Sequence, residues 1–440
     1  MIDHRVVCAG FVLALLCSTT PSSASGGVTD PGAVSRRPVA LAQVVTMNDA
    51  LRTFREHGFD ALLADAAAMH AEGDVEAAAH VANPGVAVSG SYTFMLPAGA
   101  PPWGYGVSLT DNGAIFDLLT GKRSLRASSA RAALDAARLH RASVELGLEA
   151  NVKQAYVQVG LVRLQVEFTD QQSQSLDKTL DIARKRHELL DEGDIARVEV
   201  QKLEADQTLS RARQSLRASQ AQLALLVGVR GAIPDFDVDR AALAYRVPQP
   251  LVTATENSLY AIARQHRPEI AEWKAGIRHG DEALSLERRK VFPDVALSGF
   301  LAGGQAVGND DKMAGGGVSF NLPILYQHQG EIRRAEADFA NAQIQARRAD
   351  AQIAADVSLA WAQLRAARTQ VERMTGGELD AATRQRDILQ KKFDAGAADL
   401  NDFLDAQRTY LAVQLNYLQL VASFWNAVFA LERATGTDLR

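Results

Sequence analysis

Cysteine is nearly absent from this chain of 440 residues: the only two, Cys8 and Cys17, both lie near its start. Aromatic residues make up 6% of the sequence, so a large core has to be built mostly from Ala, Leu, Val and Ile. The formal net charge is −5, whereas a nucleic-acid-binding protein usually presents a basic face. Beyond Cys17 the chain therefore has no disulfide and no thiolate metal site, and its charge argues against a nucleic-acid partner.

Signatures of catalysis are missing as well. The sequence contains no Gly-rich phosphate-binding loop, no HExxH motif and no recognisable set of nucleophile, base and acid. Its 9 histidines are scattered and show no metal-ligand spacing. We therefore predict that the protein is not an enzyme and has no cofactor and no metal site.

Residues 1–24 have the pattern of a secretory signal. Arg5 precedes the short apolar run VVCAGFVLALLC, and the small residues Ser22–Ala24 form a cleavage site. That run is too short to span a bilayer, and no later apolar stretch is long enough. We expect an exported protein that is periplasmic, secreted or an outer-membrane β-barrel. A membrane anchor and a lipid-attached Cys17 are the alternatives.

The chain repeats itself. Three short segments of its first half have counterparts, in the same order, in its second half. The matched pairs are PGVAVSG (84–90) with PDVALSG (293–299), GVSLT (106–110) with GVSFN (317–321), and LLDEGDIARVEV (189–200) with KFDAGAADLNDF (392–403). In each copy, alternating strands precede a long helix, a Gly-marked turn and a second helix. The sequence therefore predicts two internal structural repeats.

The strands predicted in both copies alternate between large apolar and small residues. The predicted apolar positions are Val86, Val88, Tyr92, Phe94, Leu96, Trp103, Tyr105, Val107, Leu109, Val295, Leu297, Leu301, Val318, Phe320, Leu322 and Ile324. A soluble sandwich uses the same alternation, but a small, hydroxylated opposite face and a cluster of aromatic residues favour a membrane barrel. Because four strands cannot close a barrel and lipid does not tolerate unpaired strand edges, several chains must then combine.

Two proline-free stretches, 121–191 and 330–393, predict very long helices. In the second stretch, apolar residues recur at the spacing typical of coiled coils. The series is Ile332, Ala335, Phe339, Ala342, Ala346, Ala349 and Ile353, continued as Val357, Ala360, Leu364, Ala367, Val371 and Met374. Gly376 and Gly377 follow it and predict a bend. Between Gly228 and Pro268 the periodicity lapses, which predicts a connector outside the main body.

These features divide the chain into segments, with each strand pair preceding the hairpin of its own copy. The segments are a signal peptide (1–24), an N-terminal segment with the first helices (25–82), a first strand pair (83–110), a first long helical hairpin (111–229), an inter-repeat connector or equatorial segment with a helix (230–291), a second strand pair (292–325) and a second long helical hairpin (326–436).

Carboxylates crowd the turn of the second hairpin, in the stretch DAGAADLNDFLDAQR (394–408). Asp399, Asp402 and Asp405 recur every three residues, so on a helix they lie close together and repel one another. The spacing alone fits a solvated helix face, with Asp399 as a helix cap, and it also fits the lining of a water-filled pore.

In combination, three segments resemble the TolC-type outer membrane efflux protein family. GVSLTDNGAIFDLLTGKR (106–123) and GGGVSFNLPILYQHQGEIRRAEADF (315–339) are similar to the family's passages from strand to long helix, and residues 396–407 to its helix-turn-helix at the periplasmic tip. The resemblance implies a mixed α/β membrane protein, a homotrimer whose chains give four strands each to one 12-stranded β-barrel. The barrel continues as a long α-helical coiled-coil barrel in the periplasm. The implied role is that of a passive exit duct in the outer membrane.

The expected partners follow from the same resemblance. They are two further copies of the chain, outer-membrane lipid, a periplasmic adaptor (membrane fusion) protein and an inner-membrane transporter of the RND type that supplies the energy. The duct would serve a tripartite efflux pump or, alternatively, type I secretion. The competitor of a different class is a periplasmic coiled-coil adaptor, which usually has one hairpin flanked by β domains rather than two hairpins preceded by strands.

The resemblance also implies gate residues. Asp402 and Asp405 match two acidic positions of the family's closing constriction, so a trimer would carry two rings of three carboxylates, which attract cations. Glu199 stands at the equivalent place of the first copy, six residues after Gly193, as Asp402 stands six after Gly396.

Two positions at the tip turn depart from the family archetype, which holds its closed state with a Tyr and an Arg. Phe393 and Ala398 stand there in this chain, so we expect a different or looser lock. The segments NPGV (83–86) and GKR (121–123) are mildly similar to the heavy-metal branch. The substrate stays open between metal ions, drugs and secreted protein.

Overall fold

The computed structural model describes residues 41–92, 94, 103–185, 192–306 and 309–439. The predicted signal peptide and both cysteines therefore lie outside the described residues. The helices are α1 (Met47–His57), α2 (Phe59–Ala79), α3 (Ala114–Leu119), α4 (Lys122–Lys185), α5 (Glu192–Leu226), α6 (Gln249–Val252), α7 (Glu256–His266), α8 (Pro268–Arg289), α9 (Gln329–Arg373), α10 (Leu379–Asp394) and α11 (Leu400–Thr435). The strands are β1 (Val44–Val45), β2 (Gly85–Tyr92), β3 (Trp103–Thr110), β4 (Asp237–Val238), β5 (Val295–Ala306) and β6 (Asn309–Phe320).

Four of the strands form one antiparallel sheet in the order β2-β3-β5-β6. Its register sets Val88 beside Val107 and Val107 beside Leu301, so the large apolar side chains share one face. On the other face, Ser89 lies beside Gly106. The predicted alternation is therefore confirmed for the described positions within these strands.

The end of the sheet differs from the prediction. Leu322 and Ile324, predicted to belong to the last strand, lie beyond β6, which ends at Phe320. The physical reason is Pro323, which has no N–H group to donate to a strand ladder. Phe300 is a second departure, because it pairs with Gly315 on the small face and its ring covers the space that a side chain at residue 315 would need.

The predicted long helices are present. α4 has 64 residues and is roughly 95 Å long. It packs against α2, α5, α8 and α11. A single π-helical turn, Met374–Glu378, separates α9 from α10 at the glycine pair where the sequence predicts a bend. Within the described residues, no helix combines the length and the apolar character that crossing a membrane would require.

Most buried apolar residues belong to one cluster, which we call the main core. It gathers side chains of α1, α4, α5, α7, α9 and α11. Of the predicted coiled-coil series, all six residues from Val357 to Met374 are buried, which confirms that part. Of the earlier part, only Ala335 and Ile353 are buried. The remaining members are half-buried. There one side of α9 packs on α8, and Phe339, for example, lies against Gly280.

The segment predicted to connect two copies contributes to this core, contrary to the expectation that it lies outside the main body. β1 and β4 pair in parallel, and Phe236, Val238 and Leu243 are buried. Leu243 and Val238 pack directly over Gly160 of α4, where a larger residue would collide with them. The periodicity lapses here because short irregular segments each bury isolated side chains instead of one continuous helical stripe.

Charged groups are buried at two places beside the main core. The Lys153 ammonium on α4 lies 2.6 Å from a carboxylate oxygen of Glu432 on α11. The other oxygen of Glu432 accepts a hydrogen bond of 3.2 Å from the backbone N–H of Leu439. Arg267 pairs with Glu269 at 2.6 Å and with Asp356 at 2.7 Å. These pairs fasten the last helix and the α7–α8 junction to the long helices.

Candidate functional site

The turn of the second hairpin depends on one glycine. α10 ends at Asp394, and Gly396 adopts a left-handed φ of +74°, which glycine reaches without the penalty that other residues incur. Its N–H donates to the carbonyl of Phe393 at 2.9 Å, and the N–H of Ala397 donates to the carbonyl of Lys392 at 2.7 Å. The chain can therefore reverse and begin α11 at Leu400.

Below this turn lies a second apolar cluster, which we call the tip cluster. It consists of Leu176, Val198, Phe393, Leu400, Phe403 and Leu404. These residues come from α4, α5, α10 and α11, so the cluster joins the ends of both hairpins. The rings of Phe393 and Phe403 stack at 4.8 Å with an angle of 8° between their planes.

The two positions at which this chain departs from the family archetype belong to the packing of the tip. Phe393 is buried, and the half-buried Ala398 packs against the tip cluster. Neither side chain can supply the hydroxyl or the charge of the Tyr and Arg that stand there in the archetype. Both positions thus contribute apolar packing to the tip.

The carboxylates Asp402 and Asp405 are exposed, on the side of α11 opposite Phe403 and Leu404. Among the described residues, Asp402 has no ion-pair partner, while Asp405 lies 3.9 Å from the exposed Arg408. Asp399 occupies the cap position of α11, yet its side chain makes no capping hydrogen bond. Negative charges near a helix N-terminus interact favourably with the helix dipole, which offsets part of their repulsion.

The first hairpin presents a different charge arrangement. Glu199 on α5 pairs with Arg184 on α4 at 2.7 Å, and both side chains are about half exposed. Gly193 lies in the first turn of α5, whereas Gly396 lies in the turn before α11. Glu199 therefore has a cation beside it that Asp402 lacks, and the two hairpins are not electrostatically equivalent.

A buried amide that the sequence reasoning did not single out ties α11 to α4. The side-chain nitrogen of Gln407 donates to the Ser175 hydroxyl at 2.8 Å, and its oxygen accepts from the Gln172 amide at 3.4 Å. Gln407 is only 2% exposed. Its position four residues after Phe403 places it on the buried face, and that spacing is the signal that could have identified it.

Polar contacts between the helices surround the tip cluster. Arg197 on α5 lies 3.4 Å from the side-chain oxygen of Asn401, at the start of α11. On α5 the Lys202 ammonium, together with the Ser173 hydroxyl from α4, bonds Asp206 and holds the pKa of that carboxyl below its ordinary value. The contact between Arg197 and Asn401 links the two hairpins, whereas the bonds to Asp206 join the two helices of the first hairpin.

The segment that suggested the heavy-metal branch has a structural role. The buried ammonium of Lys122 bonds Asp294 at 2.6 Å and the carbonyl of Phe292 at 2.7 Å, which fixes the start of α4 to the start of β5. Arg123 donates to the carbonyl of Ala79 at 2.7 Å. Within the described part of the chain, no group of three or more His, Cys, Asp or Glu side chains is arranged to hold a metal ion.

Comparison with known proteins supports the same family in three ways. The family model described as Outer membrane efflux protein matches residues 259–437. The cobalt-zinc-cadmium resistance protein CzcC of Cupriavidus metallidurans is 24% identical over 322 residues, which cover 72% of this chain and 74% of CzcC. The outer membrane efflux protein BepC of Brucella suis is 25% identical over 293 residues, 64% of this chain and 61% of BepC.

Solved structures agree at the level of the fold. The outer membrane channel CmeC of Campylobacter jejuni matches with a TM-score of 0.74 at 15% identity, over 93% of this chain and 92% of CmeC. The resemblance predicted from the sequence is therefore confirmed. The predicted efflux role and outer-membrane location agree with the family model and with BepC.

Proposed function

We propose, on the premise that this chain is an outer membrane efflux protein, that three copies of it form one exit duct. The observation that carries the proposal is the four-stranded sheet, in which β2 and β6 are edge strands. Unpaired N–H and C=O groups are not tolerated in lipid, so the edges of one sheet must pair with those of its neighbours. Three such sheets close a ring of twelve strands.

The apolar face of the sheet supports a place in lipid. Val88 is 73% exposed, Leu301 63% and Val318 61%. Large side chains in contact with water on this scale mark a surface that something apolar covers. Tyr92 contacts Phe94 and Trp103 edge to face, and a group of aromatic rings at one end of the strands is typical of a membrane interface.

The gate of this duct is proposed to consist of Asp402 and Asp405. Both are exposed near the end of the second hairpin, and a threefold arrangement would bring three copies of each around one axis. Rings of carboxylates attract cations. Glu199 contributes less in this proposal because Arg184 already balances its charge.

The partners proposed for the duct are a periplasmic adaptor and an inner-membrane transporter of the RND type. The duct itself is passive, so the energy for efflux has to come from the transporter. CzcC is named for cobalt, zinc and cadmium resistance, which makes metal ions the first substrates to examine. A toxicity panel of metals against drugs and dyes on a deletion strain would identify the class. Co-purification would then separate an RND pump from a type I secretion transporter.

The duct itself is tested by reconstitution. The purified protein, extracted from the outer-membrane fraction, should form discrete conductance steps in a planar bilayer. A soluble adaptor would produce no such steps and would be recovered from the periplasm. That result would contradict the proposed function.

The gate is tested by charge removal. In single-channel recordings, Asp402→Asn/Asp405→Asn should lose the block that divalent cations impose on the parent duct. Glu199→Gln serves as the matched variant and should retain most of that block because its carboxylate is paired. If the double variant is blocked like the parent, the gate lies elsewhere.

A further inference from the structure

An irregular turn interrupts the first helical arm of the second hairpin, which consists of α9 and α10. Met374–Glu378 forms a π-helical turn between α9 and α10, and Gly377 has φ +156° and ψ −26° inside it. Single π-turns within long helices occur often at functional places. L residues rarely adopt such a φ, so this backbone conformation depends on glycine at residue 377.

Packing does not explain the glycines. A side chain at residue 376 or 377 would meet no atom within 4 Å. The space around both positions is open, and only the φ of Gly377 requires glycine. The Thr375 hydroxyl donates to the carbonyls of Val371 at 3.0 Å and of Glu372 at 3.2 Å. It thus bonds carbonyl groups in the last turn before the irregular one.

Burial changes at this turn. Before it, α9 inserts Val357, Leu364 and Val371 into the main core. After it, only Ala382 and Phe393 of α10 are buried, and Phe393 belongs to the tip cluster. The π-turn therefore lies where the main core ends and before the tip cluster begins.

The partner helix shows the same division. α11 buries Phe403, Leu404 and Gln407 near the tip, and its next buried residue is Leu418. The intervening stretch, 408–417, has no buried side chain. Between the two clusters the second hairpin thus buries only Ala382 of α10 and no side chain of α11, and the contact there is more open, such as that of the Arg386 guanidinium over the Tyr410 ring at 4.1 Å.

We propose that the π-turn at Gly377 is the hinge about which the tip of the second hairpin moves when the gate opens. The moving part is α10 with the first turns of α11, which carry Asp402 and Asp405. The exposed pair of Arg373 and Glu378, 3.5 Å apart, spans the hinge. The hinge rests on the proposed function, because it moves the gate of that duct.

Two alanine variants separate the backbone effect from the loss of glycine. Gly377→Ala places an L residue at a strained φ and should change the frequency of single-channel opening by about five- to a hundredfold. Gly376→Ala, next to it and equally unhindered, changes only the helix propensity, which is worth at most about fivefold, and should have a smaller effect than Gly377→Ala. Equal opening frequencies for the parent and both variants would overturn the hinge.

Hydrogen exchange of the unaltered duct gives a second readout if Gly377→Ala does not assemble. Saturating Mg²⁺, which would bridge the carboxylates and hold the tip, should slow exchange at 374–378 and leave 357–371 unchanged. Identical exchange at 374–378 with and without Mg²⁺ would refute the hinge while channel conductance still supports the duct. If the parent protein shows no conductance at all, that result contradicts both the proposed duct and the gating role of the hinge.

Discussion

The sheet and the main core of this chain differ in how far their side chains are buried. Among the described side chains of β2, β3, β5 and β6, none is buried, whereas the main core contains large side chains such as Tyr156, Phe424 and Leu431 that are almost fully buried. The helices thus supply their own apolar environment. The sheet has regular hydrogen bonding but no core, so it depends on surroundings that a single chain does not provide.

The tip lies between these extremes. Its cluster of Leu176, Val198, Phe393, Leu400, Phe403 and Leu404 is well packed but small. A small cluster separated from the main core by a sparsely packed stretch can open without unfolding the rest. One chain thus combines a self-sufficient helical frame around the main core, a sheet without a core of its own and a tip held by a small separate cluster.

The largest expected effect is in the frame. Lys153→Met removes the cation beside the buried Glu432 carboxylate, and breaking such a pair typically costs about 3–5 kcal/mol in the free energy of unfolding. A denaturant titration followed by circular dichroism measures the loss. Arg184→Gln is the control, because its pair with Glu199 is exposed and should contribute less than about 1 kcal/mol. Similar losses of unfolding free energy in both variants would show that the buried pair stabilises the helices no more than the exposed pair does.

A charge on the apolar face of the sheet should act on assembly instead. Leu301→Arg is expected to weaken insertion into lipid by about 2–4 kcal/mol, since an arginine there would have to enter hydrocarbon. Ala302→Arg, one residue further along β5, points to the small face and should insert nearly as well as the parent. Folding into lipid vesicles at a series of urea concentrations compares the two. The face assignment is wrong if Ala302→Arg is the more damaging change.

The smallest effect concerns a buried hydroxyl in the frame. Tyr156 donates to the carbonyl of Val45 at 2.9 Å and accepts from the N–H of Asp239 at 3.0 Å. Burial raises its pKa to about 12. Because the unfolded pKa is near 10, the stabilisation is complete below pH 10 and is lost as the pH rises towards 12. The loss amounts to about 2–3 kcal/mol.

The check for this hydroxyl is a comparison of slopes. Between pH 10 and 12, the free energy of unfolding of the parent should fall faster than that of Tyr156→Phe, by about 1.4 kcal/mol per pH unit. Parallel curves would mean that the hydroxyl does not titrate with folding.

Sequence patterns predicted those parts of the fold in which one physical rule acts alone. Alternation identified the apolar face of the sheet around Val88 and Val107, and the coiled-coil spacing identified Val357 to Met374 as buried. The pattern failed where a second constraint intervened. Pro323 ended β6 before Leu322, and short segments around Leu243 buried single residues that have no period.

At the candidate site, the motif located the turn, its glycine and the exposed Asp402 and Asp405. It did not reveal that Phe393 stacks on Phe403, that Gln407 bonds Ser175, or that Arg184 pairs with Glu199. Each of these contacts joins residues far apart in the chain or on different helices. Their partners are set by the way in which the two hairpins pack, which a local pattern does not contain.

The central claim is that the open edges of the sheet are closed by copies of the same chain. Native mass spectrometry of the particle extracted from the outer membrane tests it most directly, because it counts the chains. We predict a mass of three chains, with no smaller species at detergent concentrations that preserve conductance. A stable monomer or dimer with full conductance would contradict the claim.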